Sequence, residues 1–352
     1  MRYLTIGYTL LIVYASLYPF TEWRNAPDAL LQFVAAPWPR YYTLSDLALN
    51  ATAYVPFGFF AVLSALGQFG ATAAAVGATV LGTGLSLAME ILQQFTATRV
   101  ASNLDLLSNG LGALAGALLG ATLGERWVLS GRIYQTRHRL FVQDRVTDLG
   151  FVVLLLWLFS QLHPQLWLFG NGDMRWLVPA AIKGGFDPHL HRWLESGVAA
   201  INLAGVCLLV RAMARPNAAI AGLLLILVAA ALGLKTAAAL TLFRQGDAAL
   251  WLTPAAMLGI PGGIVLYLAL HRLPRVGAAF AAAVLLTLGA LLVNLAPDNP
   301  YIAATFSTWR HGHFLSFNGL TRLASTLWPL AAVVHLCLLA TLSGPEPAGR
   351  TG

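Results

Sequence analysis

Charge is what this sequence has least of. Only 10% of its 352 residues are charged, against about a quarter in soluble domains, while 58% are hydrophobic and the mean hydropathy is +0.71. That balance excludes an ordinary soluble fold. Cysteine is scarcer still: Cys207 and Cys337 both fall inside apolar runs, so neither a disulfide framework nor a cysteine-based metal site is implied. Acidic side chains number 14 against 21 Lys and Arg, for a net charge of +7, but the basic ones sit mainly in short loops between hydrophobic runs. Such a distribution orients a membrane protein; it is not a nucleic-acid footprint, and no nucleic-acid partner is expected. Nucleotide-binding motifs, a nucleophile elbow and metal-ligand spacings are all missing, and His163, His189 and His191 match no ligand pattern. Neither a metal nor a cofactor is expected.

What is present is a series of apolar runs, each long enough to cross a hydrocarbon core of about 30 Å as a helix. None alternates as a barrel strand would. The fold class expected is all-α, a polytopic transmembrane bundle of about ten helices near residues 3–20, 44–66, 71–95, 104–123, 148–169, 193–213, 217–243, 250–270, 276–295 and 321–341. The first run resembles a signal peptide in position but lacks a small-x-small cleavage pattern, so it reads as a retained helix. Between Glu125 and Thr147 lie Arg126, Arg132, Arg137, Arg139 and Arg145, and the positive-inside rule places this stretch in the cytoplasm. Alternation then puts both termini in the cytoplasm, consistent with a bacterial inner-membrane, multi-pass location. The same basic stretch divides the chain into a first transmembrane domain (1–124), a cytoplasmic loop (125–147), a second transmembrane domain (148–342) and a disordered tail (343–352).

Within residues 44–120 a few polar side chains interrupt the apolar background: Asp46, Asn50, Ser86, Glu90, Gln93, Arg99, Asp105 and Asn109. Asp46 and Asn50 are four apart, Ser86, Glu90 and Gln93 are four and three apart, and Asp105 and Asn109 lead into Gly112 and Gly116 at similar spacing, so each set forms a stripe on one helix face. Antiparallel placement brings the three stripes to one depth near the outer surface. Asn50 and Asn109 equally suit interhelical hydrogen bonds, and Gly112, Gly116 and Gly120 read as a close-packing face. Pro56, with Gly58 after it, is expected to kink the second helix. Glu90, at the end of an apolar run, is costly unless paired or protonated, which makes it a functional candidate.

Asn50 through Pro56-Phe57-Gly58, then Ser86, Glu90 and Gln93, then Arg99 leading to Asp105, Asn109, Gly112 and Gly116, together resemble the VanZ-like family of bacterial membrane proteins. The resemblance covers residues 44–120. Its naming member is associated with reduced susceptibility to the glycopeptide teicoplanin, and the family has been proposed to resemble enzymes acting on phosphate-containing lipid head groups. Many members carry a further acid three residues after the motif arginine, where this chain has Ser102. The chemistry of the residues is compatible with what the resemblance implies. The Arg99 guanidinium can bind two phosphate oxygens beside the amino end of the fourth helix, which favours anions, and Glu90 or Asp105 can serve as a general base. A structural pair between Arg99 and either acid is the competing reading.

In the second half, aromatics around 157–193 (Trp157, Trp167, Phe169, Trp176, Phe186 and Trp193) are expected to form an interfacial belt, with an Asn-Gly turn at Asn171-Gly172. Lys235 lies well inside a predicted span, where it either snorkels outward or meets an acid or phosphate. Trp309-Arg310-His311 offers an aromatic and cationic surface suited to a sugar or phosphate. Phe306-x3-Arg310 followed by Asn318-Gly319 echoes Phe95-x3-Arg99 followed by Asn109-Gly110, an echo that chance explains more simply than a diverged repeat. The functional expectation is binding or modification of an envelope-lipid or lipid-linked-saccharide head group. Glu90, Asp105 and Arg99 would be central, with Asp46, Asn50, Ser86, Gln93, Asn109, Lys235 and Arg310 contributing to binding. The alternative is a non-catalytic transporter or scaffold; the sequence leaves oligomeric state open.

Overall fold

The computed structural model describes residues 2–18, 20, 22–25, 29–97, 99–124, 126, 131–163, 167–178, 185–242, 248–297, 299–300 and 315–342. Among the described residues there are ten α-helices: α1 (Arg2–Leu17), α2 (Leu44–Gln93), α3 (Asn103–Leu123), α4 (Arg132–Leu140), α5 (Arg145–Ser160), α6 (Pro188–Met213), α7 (Ala221–Leu242), α8 (Pro254–Leu270), α9 (Arg275–Leu295) and α10 (Leu315–Leu342). No strand occurs among the described residues. Among the described residues, six helices are long and apolar enough to cross a membrane, and α1 and α8 are shorter apolar helices. The protein is thus an all-α, multi-pass membrane protein.

At 50 residues, α2 would be about 75 Å long if straight, more than twice a hydrocarbon core. It does not run straight, because Gly70 adopts φ 73° and ψ 169°, a left-handed backbone that glycine alone adopts without strain, and splits the element into two helices. The two expected spans are these halves. Pro56, expected to kink the first half, lies within continuous helix, and Gly70 is where the helical geometry fails.

Two other expectations are corrected. The fifth helix stops at Ser160 rather than near residue 169, since Gln161, Leu162 and His163 turn back on Leu158, Phe159 and Ser160 ahead of Pro164, which disfavours helix in the residue before it. Part of the expected basic loop forms α4, an amphipathic helix that places Arg137 and Arg139 among apolar residues such as Ile133 and Tyr134.

The chain groups into two units, 1–137 with 315–320, and 138–314 with 321–352. In the first, α3 packs along both halves of α2 around Tyr54, Phe57, Val62, Met89, Ala113 and Ala117. Glycine makes this approach geometrically available. A Cβ on Gly112 would fall on the carbonyl oxygen of Ala51, one on Gly116 on that of Val55, and one on Gly58 on that of Ala113. The glycine stripe is therefore a packing face, as its spacing implies. α1 joins through Tyr8, whose hydroxyl donates to the Ala53 carbonyl at 2.9 Å, and through a 2.9 Å hydrogen bond between Thr5 and Ser64.

The second unit is organised on α6, which packs against α8 and α9 and buries Leu203, Leu208, Leu209 and Met213. Trp157 and Phe169 belong to this core and not to an interfacial belt: both are fully buried, 5.8 Å apart between ring centroids, with Trp328 beside Trp157. Three large rings filling one cavity gain more from burial than from an interface. Trp193, by contrast, is 69% exposed. Gly172 has φ 81°, supplying the left-handed residue of the expected turn.

Candidate functional site

The site is assembled where the second half of α2 ends and α3 begins. Ser102 is the N-cap of α3: its hydroxyl accepts from the backbone N–H groups of Leu104 (3.2 Å) and Asp105 (3.3 Å). In a capping box, the acid at the third helical position would reach back to the cap's own N–H. Here that N–H donates instead to Glu90 Oε2 at 2.8 Å, so α2 supplies the second half of the box to α3. Asp105 is thereby released and accepts from Asn50 Nδ2 at 2.9 Å. Two short side-chain bonds thus tie the two halves of α2 to the same helix end.

Glu90 is 3% exposed, although it lies in an apolar helix, and the charges of Glu90, Asp105 and Arg99 interact with one another. Asp46, in the first turn of α2, acts electrostatically on Asp105. Burial draws the Arg99 guanidinium below its ordinary value, and the two carboxylates oppose that shift. The direct contacts of the carboxylates are with Ser102 and Asn50, which leaves Glu90 Oε1 and Asp105 Oδ2 without a hydrogen-bond partner among the described residues.

One layer deeper, Asn109 Nδ2 donates to Ser86 Oγ at 2.9 Å, and Asn109 Oδ1 is buried with no partner. Gln93 turns aside to the Ser16 carbonyl at 2.9 Å, so it ties α1 to α2. The segment before α2 is bound to this end as well: Arg24 Nε donates to Gln94 O, Ala97 N to Glu22 O, Gln94 Nε2 to Leu30 O and Asn103 Nδ2 to Ala36 O.

Two residues escape sequence reasoning. Tyr54 is 4% exposed, and its hydroxyl sits near Ser86 and Glu90 without completing a hydrogen bond. It continues the Asp46, Asn50 spacing by four more residues, a signal hidden because tyrosine counts as apolar. Ser102 is the other, recognisable as an N-cap three residues before Asp105.

Residues 5–124 match the family model described as VanZ/LLP1. This region is VanZ-like. No curated protein and no solved structure matches the chain. The matched segment takes in α1, which the motifs did not cover, and the hydrogen bonds from Tyr8, Thr5 and Gln93 show why α1 belongs with α2 and α3. The departure at Ser102 also finds a physical account in the VanZ-like region: serine and aspartate are both strong N-caps, so either residue satisfies the start of α3. Ser102→Ala is expected to lower stability by about 1 kcal/mol and Ser102→Asp to keep the cap, as read by thermal unfolding of the purified protein.

Of the remaining candidates, Arg310 and its neighbours Trp309 and His311 lie outside the described residues, as does the Phe306 to Arg310 half of the echo. Lys235 belongs to the second unit. It neither snorkels nor meets an acid: it is 4% exposed and Nζ donates to the His163 carbonyl at 2.9 Å, while His163 Nδ1 lies 3.1 Å from Thr321 Oγ1.

Proposed function

We propose that the VanZ-like region binds or modifies the phosphate-containing head group of an envelope lipid or lipid-linked saccharide at the outer face of a bacterial inner membrane. The observation that carries the reading is the convergence of Glu90, Arg99, Asp105 and Asn50 on the amino end of α3. Arg99 supplies the planar donor set that matches phosphate oxygens, next to a helix end that itself favours anions. Glu90 and Asp105 each keep one carboxylate oxygen open to take a proton from a water or hydroxyl nucleophile, the role of a general base. Asp46, Asn50, Ser86 and Asn109 orient these groups, while Gln93 fixes α1 beside them.

A second reading, a non-catalytic scaffold or transporter in cell-envelope or polysaccharide assembly, is favoured by the direct contacts of Glu90 and Asp105, which serve the fold. Lipid mass spectrometry separates the two readings. Comparison of cells with and without the protein should show one phosphate-bearing lipid class changed in its head group, and the change should vanish with Glu90→Gln. An unchanged lipid profile would overturn modification and favour the non-catalytic reading.

A further inference from the structure

The second unit contains a cleft of about 250 Å³ that the proposed lipid chemistry does not use, lined by Phe186, His191, Arg192, Glu195, Thr253 and Pro254 among others. It lies where two helices start. Asp187 caps α6, its side chain accepting from His189 N at 2.8 Å, and Thr253 caps α8, its hydroxyl accepting from Ala256 N at 3.0 Å. The Thr253 hydroxyl donates in turn to Glu195 Oε1 at 2.7 Å, so the carboxylate is held by the cap of a neighbouring helix. Its other oxygen has no partner among the described residues and remains an open acceptor.

His191 supplies an unmatched polar atom. It is 7% exposed, and its Nε2 lies 3.5 Å from Asn299 Nδ2, which can only donate. Its other ring nitrogen, Nδ1, is buried and has no hydrogen-bond partner. An unmatched buried polar atom is costly, and a lining residue that carries one calls for a hydrogen-bond partner from outside the chain, a role a hydroxyl fills in either tautomer. The ring is held in place by Trp167, edge-on at 5.0 Å, and by Phe186 at 5.2 Å. Arg192 adds an exposed guanidinium.

These groups select a ligand by charge. A ligand of one negative charge would meet Glu195, one of one positive charge would meet Arg192, and a purely apolar group would leave His191 Nδ1 and the carboxylate unmatched. A neutral ring with adjacent hydroxyls satisfies all of them: one hydroxyl donates to the carboxylate, its neighbour accepts from imidazole or guanidinium, and the C–H face of the ring lies on Phe186. We infer that this cleft is a binding site for a neutral pyranose saccharide unit. The inference stands independently of the role proposed for the VanZ-like region.

The test is saturation-transfer NMR on the full chain in lipid nanodiscs, free of sugar-based detergent, with methyl glycosides of glucose, galactose, mannose and N-acetylglucosamine. At least one glycoside should receive saturation and resist displacement by inorganic phosphate. Glu195→Gln keeps an oxygen for the Thr253 hydroxyl but loses the charge-assisted bond, and should weaken binding by about tenfold. Phe186→Ala should weaken it comparably, with both variants matching the parent protein in gel filtration and thermal unfolding. Transfer to none of the four glycosides, displacement by phosphate, or binding unaltered in both variants would overturn the inference.

Discussion

Gly116→Ala is expected to unfold or grossly weaken the amino-terminal unit. The added methyl falls on the Val55 carbonyl and approaches Phe59 N at 3.0 Å, and both are backbone atoms that no rotamer change can move aside. Overpacking usually costs about 1–3 kcal/mol, and a clash with backbone belongs at or above the upper end. Because the same glycine face seats α3 against α2, α3 must move away, taking Ser102 and Asp105 from Glu90 and Asn50. Gly77→Ala is the control. Gly77 also lies within α2 and has nothing within 4 Å of an added Cβ, so alanine should be neutral or stabilise by about 0.5–1 kcal/mol through helix propensity. Unfolding midpoints of the two variants should therefore move in opposite directions or, at the least, differ widely.

Under the proposed head-group chemistry, Glu90→Gln is expected to keep the fold and to lower turnover sharply. Glutamine retains a carbonyl oxygen that can accept from Ser102 N, so the bond that completes the α3 cap survives. What is lost is the negative charge and the capacity to accept a proton, worth about 10²–10⁴ in rate when a general base is removed. Glu90→Leu removes the cap bond as well and should lower stability, since the Ser102 N–H loses its acceptor. A variant pair that separates in this way assigns chemistry to the carboxylate. Equal behaviour of the glutamine and the parent protein would reduce Glu90 to a capping group.

Much of this arrangement was legible in the sequence because a bilayer makes polar side chains conspicuous. Glu90, Asp105 and Asn50 could be named, and even their shared depth followed from helix rise and antiparallel order. The glycines at 112 and 116 were readable for the same reason, since four-residue spacing of small side chains has few other uses. What could not be read was which partner each polar group takes. Glu90 bonds a backbone N–H that has no signature of its own, and Gln93 faces α1 because of a rotation about the helix axis that spacing leaves undetermined. Tyr54 was invisible because its ring satisfies the apolar pattern while its hydroxyl joins the cluster. Trp157 shows the converse error. Tryptophan near a span end suits an interface, but Phe169, brought round by the turn after Ser160, and Trp328, from a distant helix, enclose it.

In the proposed role, the amino end of α3 holds a lipid phosphate through Arg99. Its most direct test is native mass spectrometry of the purified protein, paired with phosphorus analysis of the bound lipid, for the parent chain and for Arg99→Ala. A phosphate-bearing lipid should be retained by the parent chain and lost from the variant, while the variant's unfolding midpoint stays close to that of the parent. A variant that retains the same lipid to the same extent would contradict it.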